Sequence, residues 1–311
     1  PRIQAVMAVQ GRHTHGLMAL PEVVGTATGL DEAGNPAVLV LTRKMVGPGV
    51  LPESLEGVPV VVKFTGEIFS MPRPPGGPGG GKTKIDPTSR FATPVPIGVS
   101  TGNEGECSAG TIAARVKAGN KVYALSNNHV YALENKASIG SDVLQPGLYD
   151  TNCVIDSNNV IGTLYYFESI NFIGGSNTID AAIALSSPAD LGNATPSNGY
   201  GVPKSTTTAA ALNMAVQKYG RTTSLTKGTI TGVNVTIDVG YSSGTARFVG
   251  QIIVQSRKAF IKPGDSGSLL VTDPGRNPVG LLFAGNSSGT YAIANPIDPV
   301  LAAFNVAIDG D

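Results

Sequence analysis

From about residue 95 to its end, the chain alternates short apolar, β-branched or aromatic stretches with Gly, Pro, Asn and Ser, which constrains the fold most. Stretches of four to eight such residues bounded by turn formers read as strands. Residues 111–116 and 121–126 read as a hairpin across Lys117-Ala118-Gly119-Asn120, and 160–167 and 181–185 as further strands. After a Gly/Ser/Thr-rich stretch at 197–209, a second set follows at 215–219, 228–239, 246–254, 267–272, 278–284 and 291–294. Residues 299–308 read as a closing helix with Val300, Leu301 and Phe304 on one face. Glycine (40) and proline (22) make up a fifth of the 311 residues, which suits many tight turns and excludes a helical bundle. Two β sets of similar size and a terminal helix predict a mainly β protein of two packed barrels, about 107–190 and about 210–295.

The front of the chain differs. Residues 1–70 carry an imperfect helical stripe (Ile3, Val6, Met7, Leu17, Met18) and strand-like stretches at 23–30, 37–42 and 58–65, a small α+β unit. Residues 71–94 contain Met71-Pro72-Arg73-Pro74-Pro75 and a glycine run, and read as a linker to the domain at 95–311. Gly76 to Thr83 formally fits a phosphate-binding loop, but Pro72, Pro74 and Pro75 replace the strand that should enter it, and Pro87 interrupts any helix leaving it. No cofactor is expected.

Charge excludes several partners. Charged residues are 14% of the chain, against about 25% in an average globular protein, with 22 basic and 22 acidic side chains. Such a surface gives no electrostatic ground for nucleic acid or an anionic membrane, and no run of about 18 apolar residues exists to span a bilayer. The first residues lack a signal-peptide pattern, a reading that leans to the cytoplasm and leaves open a mature chain already trimmed. Cys107 and Cys153 fit no zinc spacing; a disulfide and two buried thiols are both open. His13 and His15 have no companion ligands nearby in sequence, so no metal is expected.

The sharpest local feature is Pro263-Gly264-Asp265-Ser266-Gly267-Ser268. A serine between glycines on a turn entering a strand can present its Oγ to a closely approaching backbone. The N–H groups of Gly264 and Ser266 can converge there on a carbonyl oxygen, as an oxyanion hole does. Serine needs a base to become nucleophilic. Of the three histidines, His129 alone lies beyond the linker, at the end of Tyr123-Ala124-Leu125-Ser126-Asn127-Asn128-His129. Asp180 opens the apolar run Ala181-Ala182-Ile183-Ala184-Leu185. Singly, such residues are more often a structural hydrogen-bonder and a turn residue. Together, in the order His129, Asp180, Ser266, they follow the chain order of one of the known triad arrangements.

These motifs resemble the chymotrypsin/trypsin-like serine peptidases. Gly264-Asp265-Ser266-Gly267 matches that family's nucleophile motif, Ser126-Asn127-Asn128-His129-Val130 its histidine motif, and Asp180-Ala181-Ala182-Ile183-Ala184-Leu185 its aspartate strand. Gly220-Arg221-Thr222-Thr223 onward is similar to streptogrisin and α-lytic-type bacterial proteases. The front unit is more like a bacterial group related to plant narrow-leaf peptidases. The resemblance covers about 107–305 and implies two six-stranded antiparallel barrels, a polypeptide substrate, and an endopeptidase using His129, Asp180 and Ser266 through an acyl-enzyme. It places Phe283, Ala284 and Gly285 along the specificity pocket, with Gly289 on the far side and Phe260 or Ile261 at its base. No carboxylate sits there, so medium apolar side chains are expected before the scissile bond. In zymogen-activated relatives the aspartate before the serine pairs with a new N-terminal ammonium; about 100 residues precede the barrel here, so Asp265 is expected to lack that partner. The alternative reading is a catalytically silent scaffold or peptide-binding module of the same fold. The N-terminal unit is a candidate regulatory element or contact between copies.

Overall fold

The computed structural model describes residues 2–72 and 85–311. The glycine run and its phosphate-loop lookalike, Gly76 to Thr83, therefore lie outside the described residues.

Two curled sheets carry the fold. The first has eight strands in the spatial order Ala307–Ile308, Ala114–Ala118, Lys121–Ser126, Ala182–Ser186, Val160–Phe167, Asp142–Leu144, Ser100–Asn103 and Gly110–Thr111, all antiparallel. Its central strands are buried on both faces, which explains their apolar runs. Ala181 and Ile183 face one core cluster while Ala182 and Ala184 face another. The register Ala182↔Ser126 sets the end of one strand beside the start of the next. His129, three residues past Ser126, and Asp180, two before Ala182, are thereby delivered to one rim.

The second sheet has twelve strands, dominated by the long hairpin Ser224–Tyr241 and Gly244–Gln255. It continues through Tyr291–Pro296, Pro278–Gly285 and Leu269–Thr272 to Ala215–Gly220. The 1–70 segment does not stand apart from it. Strand Val23–Leu30 pairs antiparallel with Ser224–Tyr241, Pro36–Thr42 pairs with Val23–Leu30, and Val58–Phe64 adds in parallel. Val24, Ala27, Leu39 and Leu41 share one core cluster with Val235, Ile237, Phe248, Phe283 and Ile293. Helix Arg2–Met18 covers this extension through Val6, Val9, Leu17 and Met18. Its buried Gln10 is a polar rivet: Nε2 donates to Thr26 Oγ1 (3.1 Å) and Asn234 O (2.9 Å), and Oε1 accepts from Thr28 Oγ1 (2.9 Å).

At the far end the expected helix over 299–308 is shorter. It spans Ile297–Phe304, and Asn305 (φ 51°) ends it in the left-handed conformation that caps helices. The chain then straightens, and Ala307–Ile308 pairs with Ala114–Ala118 of the first sheet.

Candidate active site

His129 sits in the one-turn helix Asn128–Tyr131 and is 3% exposed; Asp180 and Ser266 are fully buried. Asp180 is heavily anchored. Its Oδ2 lies 2.5 Å from His129 Nδ1 and accepts from Tyr241 Oη at 2.8 Å, while Oδ1 accepts from the His129 N–H at 3.2 Å. The Asp180 N–H donates to Asn295 Oδ1 at 3.0 Å, and its carbonyl accepts from Asn127 Nδ2 at 2.8 Å. A carboxylate only accepts, so Nδ1–H is the donor to Asp180, and Nε2 is the ring nitrogen left over. Nε2 is buried and has no hydrogen-bond partner among the described residues. Tyr241 is a residue that sequence reasoning missed. Its ring packs edge-on against the imidazole at 5.8 Å, and burial, with the neighbouring Asp180 charge, raises its phenol well above the ordinary range, so it stays a donor.

Ser266 is held from both sides. Its carbonyl accepts from the Thr111 N–H at 2.8 Å; Gly267 N–H bonds to Leu282 O at 2.9 Å. The Ser266 carbonyl and the Val130 side chain both crowd the open face of Gly110, so the serine turn and the histidine helix flank the same residue. No hydrogen bond joins Ser266 Oγ to His129 in this arrangement. Oγ instead accepts from the Met71 N–H at 3.0 Å and donates to Phe283 O at 3.2 Å.

The turn before the serine requires glycine. Gly264 has φ +102°, and a Cβ there would lie 2.4 Å from Thr222 Oγ1 and 2.9 Å from Arg221 Cδ. Its N–H donates to the Met71 carbonyl at 2.7 Å. The other expected donor, the Ser266 N–H, makes no bond to that oxygen among the described residues. Asp265 accepts from the N–H groups of Thr222 (2.8 Å), Thr223 (3.1 Å) and Lys262 (2.9 Å), and from Thr223 Oγ1 (2.7 Å), a hydroxyl that also takes a bond from the buried Lys218 ammonium, whose charge faces Asp265. Arg221, beside this cluster, is buried against Asp150, with Nε 2.9 Å from Oδ2. Asp150 lies three residues before Cys153, which forms a disulfide with Cys107, Cα atoms 5.2 Å apart.

Around the expected specificity pocket, Phe260 and Ile261 are fully buried in one apolar cluster with Met71, Val216, Ile230 and Val254. Gly289 O accepts from the N–H groups of both Phe260 (2.8 Å) and Ile261 (3.3 Å), and a Cβ on Gly289 would collide with Ile261 O. A Cβ on Gly285 would meet Ile261 Cγ2 at 2.7 Å and Met71 Cε at 3.1 Å. Phe283 contributes its carbonyl, while its ring turns to the other core and meets Phe248 at 4.7 Å. Ala284 belongs to that same core. His13 bonds to Glu56 (2.9 Å) on the exposed side of the first helix, remote in sequence and element from this centre.

This architecture, mostly β with curled sheets and a C-terminal helix, is the chymotrypsin-like serine protease fold. Protease A of Thermobifida fusca is similar over 70% of this chain and 99% of its own, at 22% identity and a TM-score of 0.50. A glutamic-acid-specific serine protease matches 69% of this chain and all of its own, at 23% identity and a TM-score of 0.49. Chymotrypsin of Cellulomonas bogoriensis matches 70% of this chain and 99% of its own, at 23% identity and a TM-score of 0.47. No family model matches the chain.

Proposed function

We propose that the protein is a serine endopeptidase in which Ser266 is the nucleophile, His129 the general base and Asp180 the group that orients it. The observation that carries this reading is the bare, buried Nε2 of His129, on a ring clamped through its other nitrogen. Leaving a buried polar atom unpaired costs about 1–3 kcal/mol. A histidine kept only for structure has no reason to bear that cost, whereas a base needs a free lone pair.

In the reaction, Ser266 Oγ–H must leave Phe283 O and turn to Nε2. Oγ attacks the carbonyl carbon while its proton passes to Nε2, and the oxyanion is received by the Gly264 N–H. The imidazolium, stabilised by Asp180, returns the proton to the leaving amine as the peptide C–N bond breaks. Water repeats the sequence to free the acid and restore the serine. The apolar surroundings of Phe260 and Ile261 favour medium apolar side chains before the scissile bond, because a guanidinium would be buried there without a partner.

Labelling by a fluorophosphonate probe tests the assignment. Adduct on Ser266 in the native chain and its loss in His129→Ala are expected. A chain that never labels at Ser266, even with its cleft opened, would favour the silent scaffold.

A further inference from the structure

The segment Phe69-Ser70-Met71 enters the centre described above. Ser70 and Phe69 pair antiparallel with Ala284 and Gly285, and Phe69 also lies parallel to Gly240 on the other side. The stretch is anchored just upstream, where the Gly240 N–H donates to Ile68 O (2.9 Å) and Asn286 Nδ2 to Thr65 O (3.0 Å). Met71 N–H is shared between Ser266 Oγ (3.0 Å) and Phe283 O (3.3 Å), and Met71 O accepts from the Gly264 N–H at 2.7 Å. Its side chain is 4% exposed and reaches Gly285 and the Phe260–Ile261 cluster. Each contact is one a bound polypeptide needs: strand pairing along one edge, a side chain in the apolar recess, and a carbonyl on the turn beside the serine.

We propose that Phe69-Ser70-Met71 is a tethered pseudosubstrate, with Met71 in the subsite before the scissile position, and that polypeptides enter only when it leaves. This rests on the endopeptidase reading for what the cleft does, though not for what fills it. The bond that would break is Met71 C to Pro72 N, with Met71 passing to Ser266 Oγ and the serine proton moving through His129 to the Pro72 nitrogen. That nitrogen carries a ring carbon where other residues carry hydrogen, which crowds the approach of the imidazolium that must protonate it. The segment therefore binds without being cut. Tethering gives it an effective concentration of order millimolar, so micromolar substrates are excluded by an intrinsically modest interaction. The same contacts assign methionine, long, unbranched and apolar, as a side chain the recess accepts.

The test compares the full chain with Met71→Asp, Met71→Gly and Pro72→Ala, the glycine variant guarding against misfolding by the buried charge. Three readouts apply: the rate of fluorophosphonate labelling at Ser266, hydrogen exchange of the stretch 280–287, and intact mass. Either Met71 variant should label at least tenfold faster, with faster exchange over 280–287, and Pro72→Ala should accumulate a fragment ending at Met71. Unchanged labelling and exchange in both folded Met71 variants would overturn the proposal. So would self-cleavage of the native chain after Met71, which would make the segment a processing junction. An intact Pro72→Ala chain that labels would refute the role given to Pro72. Faster exchange in the Met71 variants without labelling of any chain would uphold occupancy of the cleft by the segment and sink the endopeptidase reading instead.

Discussion

Gly264→Ala separates the chemistry of the serine turn from its packing. At φ +102° an alanine is strained by about 1–3 kcal/mol, and its Cβ would stand 2.4 Å from Thr222 Oγ1 and 2.9 Å from Arg221 Cδ. Thr222 cannot simply yield, because its Oγ1 donates to Pro263 O at 2.7 Å and its N–H to Asp265 at 2.8 Å. Arg221 is held by Asp150. The turn itself must therefore shift, and with it the Gly264 N–H. Native domains are stable by about 5–15 kcal/mol, so most of the chain should still fold, with a lowered melting temperature. Losing one oxyanion donor costs about 10²–10³ in kcat. The assay is turnover of a small activated ester, which needs little of the extended cleft, on variant protein shown to be folded by its melting transition. A folded variant that retains kcat within threefold of the native chain would refute the assignment of Gly264 to the reacting oxygen.

Ser266→Ala and His129→Ala should each lower kcat by about four to six orders of magnitude, and the double variant by little more; near-additive losses would deny a shared mechanism. Deleting residues 1–70 would expose Val235, Ile237 and their neighbours, each worth about 1.5–3 kcal/mol of burial, so the remainder should lose cooperative thermal unfolding; a sharp, native-like transition would contradict this. Burial pushes the Lys218 ammonium down to about 8, whereas in the unfolded chain it keeps its proton to near ~10.4. Between pH 8 and about 9.5 the unfolded state binds more protons, so stability to urea should rise with pH, by at most about 2 kcal/mol over that interval. Above that window the raised phenols of Tyr131, Tyr200 and Tyr241 act in the opposite sense. Lys218→Met should flatten the rise, and a flat native profile would show that the ammonium is better solvated than its burial implies.

The residues and elements legible in the sequence share a physical reason: their signals are local. The glycine-flanked Ser266 turn, the residues just beyond a strand at His129 and just before one at Asp180, and the hairpin ending at Ser126 each show in under ten consecutive residues. What stayed hidden depends on distant pairing. Nothing in Val23–Leu30 indicates that its partner is the strand Ser224–Tyr241, some 200 residues on, so residues 1–70 read as a unit of their own. Phe69-Ser70-Met71 was masked by composition, since the proline and glycine that follow mark a linker and draw attention from a two-residue strand, Phe69–Ser70, and the methionine after it. Tyr241 could have been suspected only as an aromatic at a hairpin end, and its hydroxyl's contact with Asp180 is a product of the fold.

Asp265 has a thermodynamic consequence for how such a turn is kept. It accepts four hydrogen bonds from Thr222, Thr223 and Lys262, each worth a net ~0.5–1.5 kcal/mol and more with a charged acceptor. A collapsed alternative in which that carboxylate swung away would forfeit about 2–6 kcal/mol, leaving it populated at no more than a few per cent. The conformational equilibrium that some relatives reset by creating a new chain end is here settled by folding itself. In the endopeptidase reading, control over the centre would then act on access to the cleft, since the turn has no second well-populated state for a regulator to select.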